Sequence, residues 1–150
     1  MINPEEIIAQ LPYTKPFLFV DEIESVNEEE ITGNYHFPKD SYFYKGHFKD
    51  SPVTPGVILT ECAAQIGVVC LGIFLGADEE QNAVEEKVQI ALTSTAMDFY
   101  IPVFPGERVY VRAKKMYFRF NKLKCEVKMY NEEEKLICKG EIAGMMNLKL

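Results

Sequence analysis

The chain has 150 residues, 47% of them hydrophobic, and a formal charge of −7; this suits a single domain spanning 1–150 with its own core, and it disfavours nucleic acid, whose phosphates reward a basic footprint. Four cysteines, Cys62, Cys70, Cys125 and Cys138, lie in apolar or alternating contexts without a CxxC pair, so neither a metal site nor a disulfide framework is expected and they read as buried thiols of a reducing, cytoplasmic compartment. The opening MINPEEIIAQ carries acids where a signal peptide carries bases, so export is not expected.

Asn3-Pro4-Glu5-Glu6 predicts a helix start, with a capping Asn, Pro in the first turn and acids at the positive end of the dipole. That helix should be short, ending by Leu11-Pro12. FLFVDEIESV after Pro16 and ITGNYHF after the acidic turn Asn27–Glu30 predict two strands. Pro55-Gly56 then opens VILTECAAQIGVVCLGIFLG, a helix of roughly 30 Å if it runs from Gly56 to Gly76. Such a length could cross a bilayer, but Thr60, Glu61 and Gln65 in its first half and the lack of a basic flank argue against a membrane span. A helix apolar on nearly every side must instead be wrapped by the rest of the chain.

The wrapper follows a polar linker, ADEEQNAVEEK, as four β-like segments: VQIALTSTAMDFYI, ERVYVRAKKMYFRF, KLKCEVKMYN and KLICKGEIAGMMNL. From Lys122 to Met129 the pattern alternates strictly, Leu123, Cys125, Val127 and Met129 against Lys122, Lys124, Glu126 and Lys128, as in a strand with one solvated face. Phe120-Asn121 and Asn131–Glu134 are the expected turns, and Pro102 and Pro105-Gly106 mark a bend. The layout is α+β, about six antiparallel strands curled around one long helix. Charge is unevenly spread: from Arg108 to Lys128 there are eight basic residues and one acid. Arg108, Arg112, Lys114 and Lys115 could dock an acidic partner or simply form a solvated strand face.

Two residues stand out chemically. The chain has two histidines. His36 falls within a predicted strand, whereas His47 lies in a loop leading through Pro52 and Pro55-Gly56 into the helix. Glu61 is the only charged residue from Pro52 to Ala77; burial there favours its protonated form and makes it a proton donor, with His47 as a matching base. The first-turn amides of Gly56 and Val57 lack intrahelical acceptors and suit a carbonyl oxygen gaining charge. Together these groups fit proton abstraction beside a carbonyl with protonation of a leaving group. Cys62 with a histidine is a rival nucleophilic pair, weakened by its apolar setting.

LPYTKPFLFVDEI, GHFKDSPVTPGVILTECAAQ and MDFYIPVFPGERV, in that order along nearly the whole chain, resemble the 3-hydroxyacyl-[acyl-carrier-protein] dehydratases of the FabZ type, members of the hotdog-fold family. The resemblance implies a homodimer, in some relatives a trimer of dimers, with His47 of one subunit meeting Glu61 of the other. It implies removal of water from a 3-hydroxyacyl thioester to give a trans-2-enoyl thioester in fatty-acid or related polyene or polyketide synthesis. His47 would take the C2 proton, Glu61 would protonate the departing hydroxyl, and the Gly56 and Val57 amides would hold the thioester carbonyl. No metal or redox cofactor is implied, the substrate arriving on the phosphopantetheine of an acyl carrier protein that docks on the basic stretch. Ile58, Phe74, Phe99 and Tyr100 are candidate tunnel-lining residues, though the same side chains could fill the core. Acyl-thioester hydrolysis and a catalytically silent partner of a heterodimer are the alternatives. The chain departs from the family pattern at Tyr13 and Thr14, where His-Arg is usual, at Lys49, and at Met97, Asp98 and Tyr100; none of these is expected to touch the acid, the base or the amides.

Overall fold

The computed structural model describes residues 2–77 and 89–146; the linker reading of ADEEQNAVEEK falls almost wholly outside them. The N-terminal helix α1, Pro4–Ala9, starts as expected, the Asn3 side chain accepting from the Glu6 amide at 2.9 Å. Six strands follow: β1 Glu22–Val26, β2 Glu30–His36, β3 Ile90–Phe99, β4 Arg108–Arg119, β5 Lys122–Tyr130 and β6 Leu136–Met146. They form one antiparallel sheet in the order β1-β2-β4-β5-β6-β3. The central helix α2, Gly56–Ala77, is mostly buried. It is a core helix, and its apolar length is explained by the sheet around it.

The register accounts for the core. Val109, Val111 and Ala113 of β4, Leu123, Cys125, Val127 and Met129 of β5, and Cys138 and Ile142 of β6 are all buried, and so are Ile66, Val68, Val69 and Leu71 of α2. Close approach needs small residues where helix and sheet meet. A Cβ on Gly67 would lie 2.9 Å from the Ala113 Cβ, and one on Gly33 would lie 2.7 Å from the Glu22 carbonyl oxygen and 2.9 Å from the Ile66 side chain.

Two features differ from the sequence-based expectation. FLFV is not strand: β1 starts only at Glu22. The reason is that Gln65 of α2 takes over the backbone there, its Oε1 accepting from the Phe19 amide at 2.8 Å and its Nε2 donating to the Phe17 carbonyl at 2.9 Å. These bonds to a helix side chain replace a strand ladder. The second is that α2 is not uniform, since Gln65–Val69 forms a π-helical turn between α-helical Gly56–Ala64 and Cys70–Ala77.

β3 ends the sheet opposite β1, and of its ten residues only Ile90 and Met97 are even partly buried, with Leu92 43% and Phe99 48% exposed although both lie in register with the inner face of β6. All four cysteines are free and buried. Burial pushes Cys125 and Cys138 up to about 12 and raises Cys62 and Cys70 well above the usual thiol range.

Gly33→Ala should destabilise the protein by about 1–3 kcal/mol, because its methyl meets a backbone carbonyl that cannot move aside cheaply. Urea unfolding checks this, and an unchanged midpoint would show that β1 yields.

Candidate active site

The loop that carries His47 is fixed from both ends. A 3-10 turn, Tyr42–Lys45, is held to the helix entrance by a buried 2.6 Å bond between the Tyr44 hydroxyl and Thr54 Oγ1. The His47 amide donates to the Phe43 carbonyl at 3.0 Å, and Phe48 adopts φ +61°, turning the chain sharply after the histidine. The imidazole Nδ1 lies 2.8 Å from the Val53 carbonyl. A carbonyl only accepts, so this bond asks Nδ1 to carry the proton and leaves Nε2 with its lone pair, the form a general base requires. The Phe48 ring covers the imidazole with centroids 4.3 Å apart.

The helix entrance is equally defined. Thr54 donates its amide to Val103 at 2.8 Å, and the Ile58 and Leu59 amides both return to Pro55. The Gly56 and Val57 amides have no acceptor among the described residues, as first-turn donors should. Phe99 lies over this entrance, its ring 3.3 Å from where a Gly56 Cβ would stand. A side chain at position 56 would thus compete with the aromatic ring for the same space.

Glu61, one turn further along α2, is half-buried, with Oε2 accepting from Gln65 Nε2 at 2.9 Å. Burial raises its pKa, and the Gln65 bond partly opposes that rise. Gln65 itself is fully buried and spends both ends of its amide on Phe17, Phe19 and Glu61. Sequence reasoning read Gln65 only as a polar residue against a membrane span; its spacing of four from Glu61 on a helix was the available signal.

Of the departures from the family pattern, Tyr13 is half-buried and pushed up to about 12, first by burial and then by the charge of Glu61; among the described residues no hydrogen bond joins the two. Among the other candidates, Ile58 and Phe74 are core residues, 9% and 3% exposed, whereas Val57, Phe99 and Tyr100 are exposed. His36 ends β2 with its amide on Asp21 and takes no part in the site. Cys62 is fully buried, with its thiol on the Phe19 carbonyl, which removes the covalent rival.

Within one chain His47 and Glu61 do not meet: among the described residues each has the partner named above, and no ion pair joins them. The basic stretch is also divided. Arg108 donates to Asn34 Oδ1 at 2.6 Å and Asp21 Oδ2 at 3.3 Å, and Lys115 pairs with Glu29 at 3.6 Å. Arg112 and Lys114 are exposed on the outer face. There Arg112 lies in one cross-strand row with Lys128 and Lys139, and it also lines a groove of about 440 Å³ with Tyr110, Tyr130 and Glu132 that includes neither His47 nor Glu61.

A helix enclosed by a six-stranded antiparallel sheet, with an acid on the helix and a base on the loop before it, defines a hotdog-fold protein. Solved structures agree on the fold: the dehydratase heterocomplex ApeI:P from Xenorhabdus doucetiae matches with a TM-score of 0.78 at 11% identity over 99% of this chain and 94% of that one, and a thioesterase from Haemophilus influenzae with 0.67 at 18% identity over 97% and 91%. The FabA-like domain family matches residues 11–143. Proteins described as 3-hydroxyacyl-[acyl-carrier-protein] dehydratase FabZ are similar along nearly their full length: that of Oleidesulfovibrio alaskensis is 30% identical over 98% of this chain and 93% of its own, and that of the Wolbachia of Brugia malayi is 31% identical over 97% and 98%. The chain belongs to the FabA-like family and, within it, to the FabZ-type dehydratases.

Stability should report the acid's environment. Because the folded pKa of Glu61 is raised, its stabilising contribution is complete below the unfolded value and is lost as pH rises through the folded one. Glu61→Gln, which mimics the protonated form, should match the native melting temperature in acid and exceed it increasingly toward neutral pH. A difference independent of pH would contradict the raised pKa.

Proposed function

We propose that the chain is a 3-hydroxyacyl-[acyl-carrier-protein] dehydratase, forming trans-2-enoyl thioesters in the synthesis of fatty acids or related chains. The observations that carry the mechanism are a histidine whose Nδ1 is held by the Val53 carbonyl, which leaves Nε2 free, and a half-buried carboxyl of raised pKa. His47 Nε2 removes the C2 proton as Glu61 gives its proton to the C3 hydroxyl, which leaves as water. The thioester oxygen gains charge in that step and is held by the Gly56 and Val57 amides at the positive end of α2. The balance is closed by proton transfer, so the chemistry asks for no redox group.

Assembly completes the site in this reading. His47 lies apart from Glu61 of its own chain, and β3 offers an unpaired edge with an exposed inner face. A homodimer joined along β3 pairs that edge and brings the two residues together across the interface. Four buried free thiols support a reducing cytoplasm as its setting. The acyl carrier protein docks on the outer-face cations led by Arg112 and Lys114, since Arg108 and Lys115 already serve Asn34, Asp21 and Glu29.

Incubation with 3-hydroxyacyl thioesters, following enoyl formation and free thiol together, tests the reaction. Enoyl product without thiol is expected; thiol release would mean a hydrolase, and neither product a silent partner. His47→Ala and Glu61→Gln should each lower turnover by about 10²–10⁴-fold while remaining folded, and near-native rates from either would remove that residue from the mechanism. Arg112→Glu should raise KM for carrier-bound substrate more at low salt than at high salt. Unchanged KM would return Arg112 to an ordinary solvated face.

A further inference from the structure

The hairpin between β4 and β5 carries three local costs in four residues, none of which serves the core or the candidate site. Phe120 and Asn121 have φ +51° and +60°, a left-handed pair that suits Asn and Gly and penalises a bulky aromatic. Phe120 is also 91% exposed, the highest value of any large hydrophobic side chain among the described residues. Arg119 faces Lys122 directly across the ladder, a like-charge pair that weakens a hairpin. Sequences are locally consistent with their folds except where another requirement intervenes.

The neighbouring cations are occupied. Lys115 meets Glu29 at 3.6 Å and Lys124 meets Glu141 at 3.1 Å. Arg119 rests over the Tyr117 ring, 4.7 Å from its centroid, and among the described residues neither Arg119 nor Lys122 has a carboxylate partner. Met116 beside them is 50% exposed. Among the described residues the hairpin apex is therefore an aromatic side chain flanked by two cations without a carboxylate partner.

Its position separates it from the chemistry. β4 begins beside the site, where the Phe37 amide bonds Glu107, and runs 12 residues, about 40 Å, to the apex. There Asn121 accepts from the Met146 amide, and Met146 packs at Gly72 in the far half of α2. Within the chain, anything held at the apex leaves the helix entrance at Gly56 free.

We propose that this hairpin apex is a contact point for an anionic lipid surface, with Phe120 entering the boundary between headgroups and acyl chains and Arg119 and Lys122 taking lipid phosphates. A phosphate between the facing cations relieves their repulsion, and the apolar boundary removes Phe120 from water. A soft interface receives a single projecting ring without a matching socket. A stable protein interface buries about 800 Å² per partner, which one side chain ringed by cations does not offer. Contact through one apex is weak and reversible, strengthened by anionic lipid and screened by salt.

The chain has no tryptophan, so Phe120→Trp supplies a single reporter in the full-length protein. Its emission should shift to the blue, and be quenched by brominated acyl chains, on addition of vesicles of phosphatidylglycerol and phosphatidylcholine. High salt should reverse this, and phosphatidylcholine alone should not produce it. Co-sedimentation of the unmodified protein with the anionic vesicles should fall about tenfold or more in Phe120→Ser, and comparably in the Arg119→Glu, Lys122→Glu double variant, while dehydration of a soluble thioester by Phe120→Ser is unchanged. Emission indifferent to anionic vesicles, equal binding to neutral ones, or retained sedimentation of Phe120→Ser would overturn the proposal. So would a blue shift that grows with protein concentration without lipid, which would assign the apex to a second copy of the chain.

Discussion

Enclosure of α2 is the constraint on which the rest depends. A helix with apolar side chains on nearly every face can reside in water only if something surrounds it. The sheet does so by curling, and the contact is close because Gly33, Gly67 and Ala113 leave room for backbone to approach backbone. The strand order places β4 and β5, with their fully buried inner rows, against the middle of the helix. Core and candidate site are thus one problem: the element needing most protection from water also carries the carboxyl.

That carboxyl is tolerated because the polar exceptions in α2 are organised. Gln65 is fully buried, yet both ends of its amide are bonded, and a satisfied buried network costs far less than an orphaned group. The same side chain anchors Phe17 and Phe19, so the segment before β1, which also includes Tyr13, is tied to the acid. Charge on Glu61 is disfavoured by burial and eased by Gln65.

Much of this was legible in the amino acids. The alternation from Lys122 to Met129 identified the inner row of β5 because period two has a single geometric meaning on a half-solvated strand. Glu61 was visible as a lone charge in an apolar run, and His47 as a loop residue before a helix entrance. FLFV was misread because β propensity says nothing of a distant glutamine that captures the backbone. The division of the basic stretch was equally hidden, since charge counting cannot tell that Arg108 is held by Asn34 and Asp21.

The π-helical turn from Gln65 to Val69 sets a rule of length on this protein. Such a turn lodges one residue more than an α-helical turn, and each helical residue advances the face by about 100°. Removing any one residue of the five would restore regular winding and keep the helix apolar. It would leave Glu61 in phase with Phe74 and the far half of the core, since about five residues of a π-turn and about four of an α-turn each close about one turn. A one-residue change inside this stretch is thus taken up by the winding, whereas one elsewhere between Glu61 and Phe74 turns the two halves of the helix against each other by about 100°.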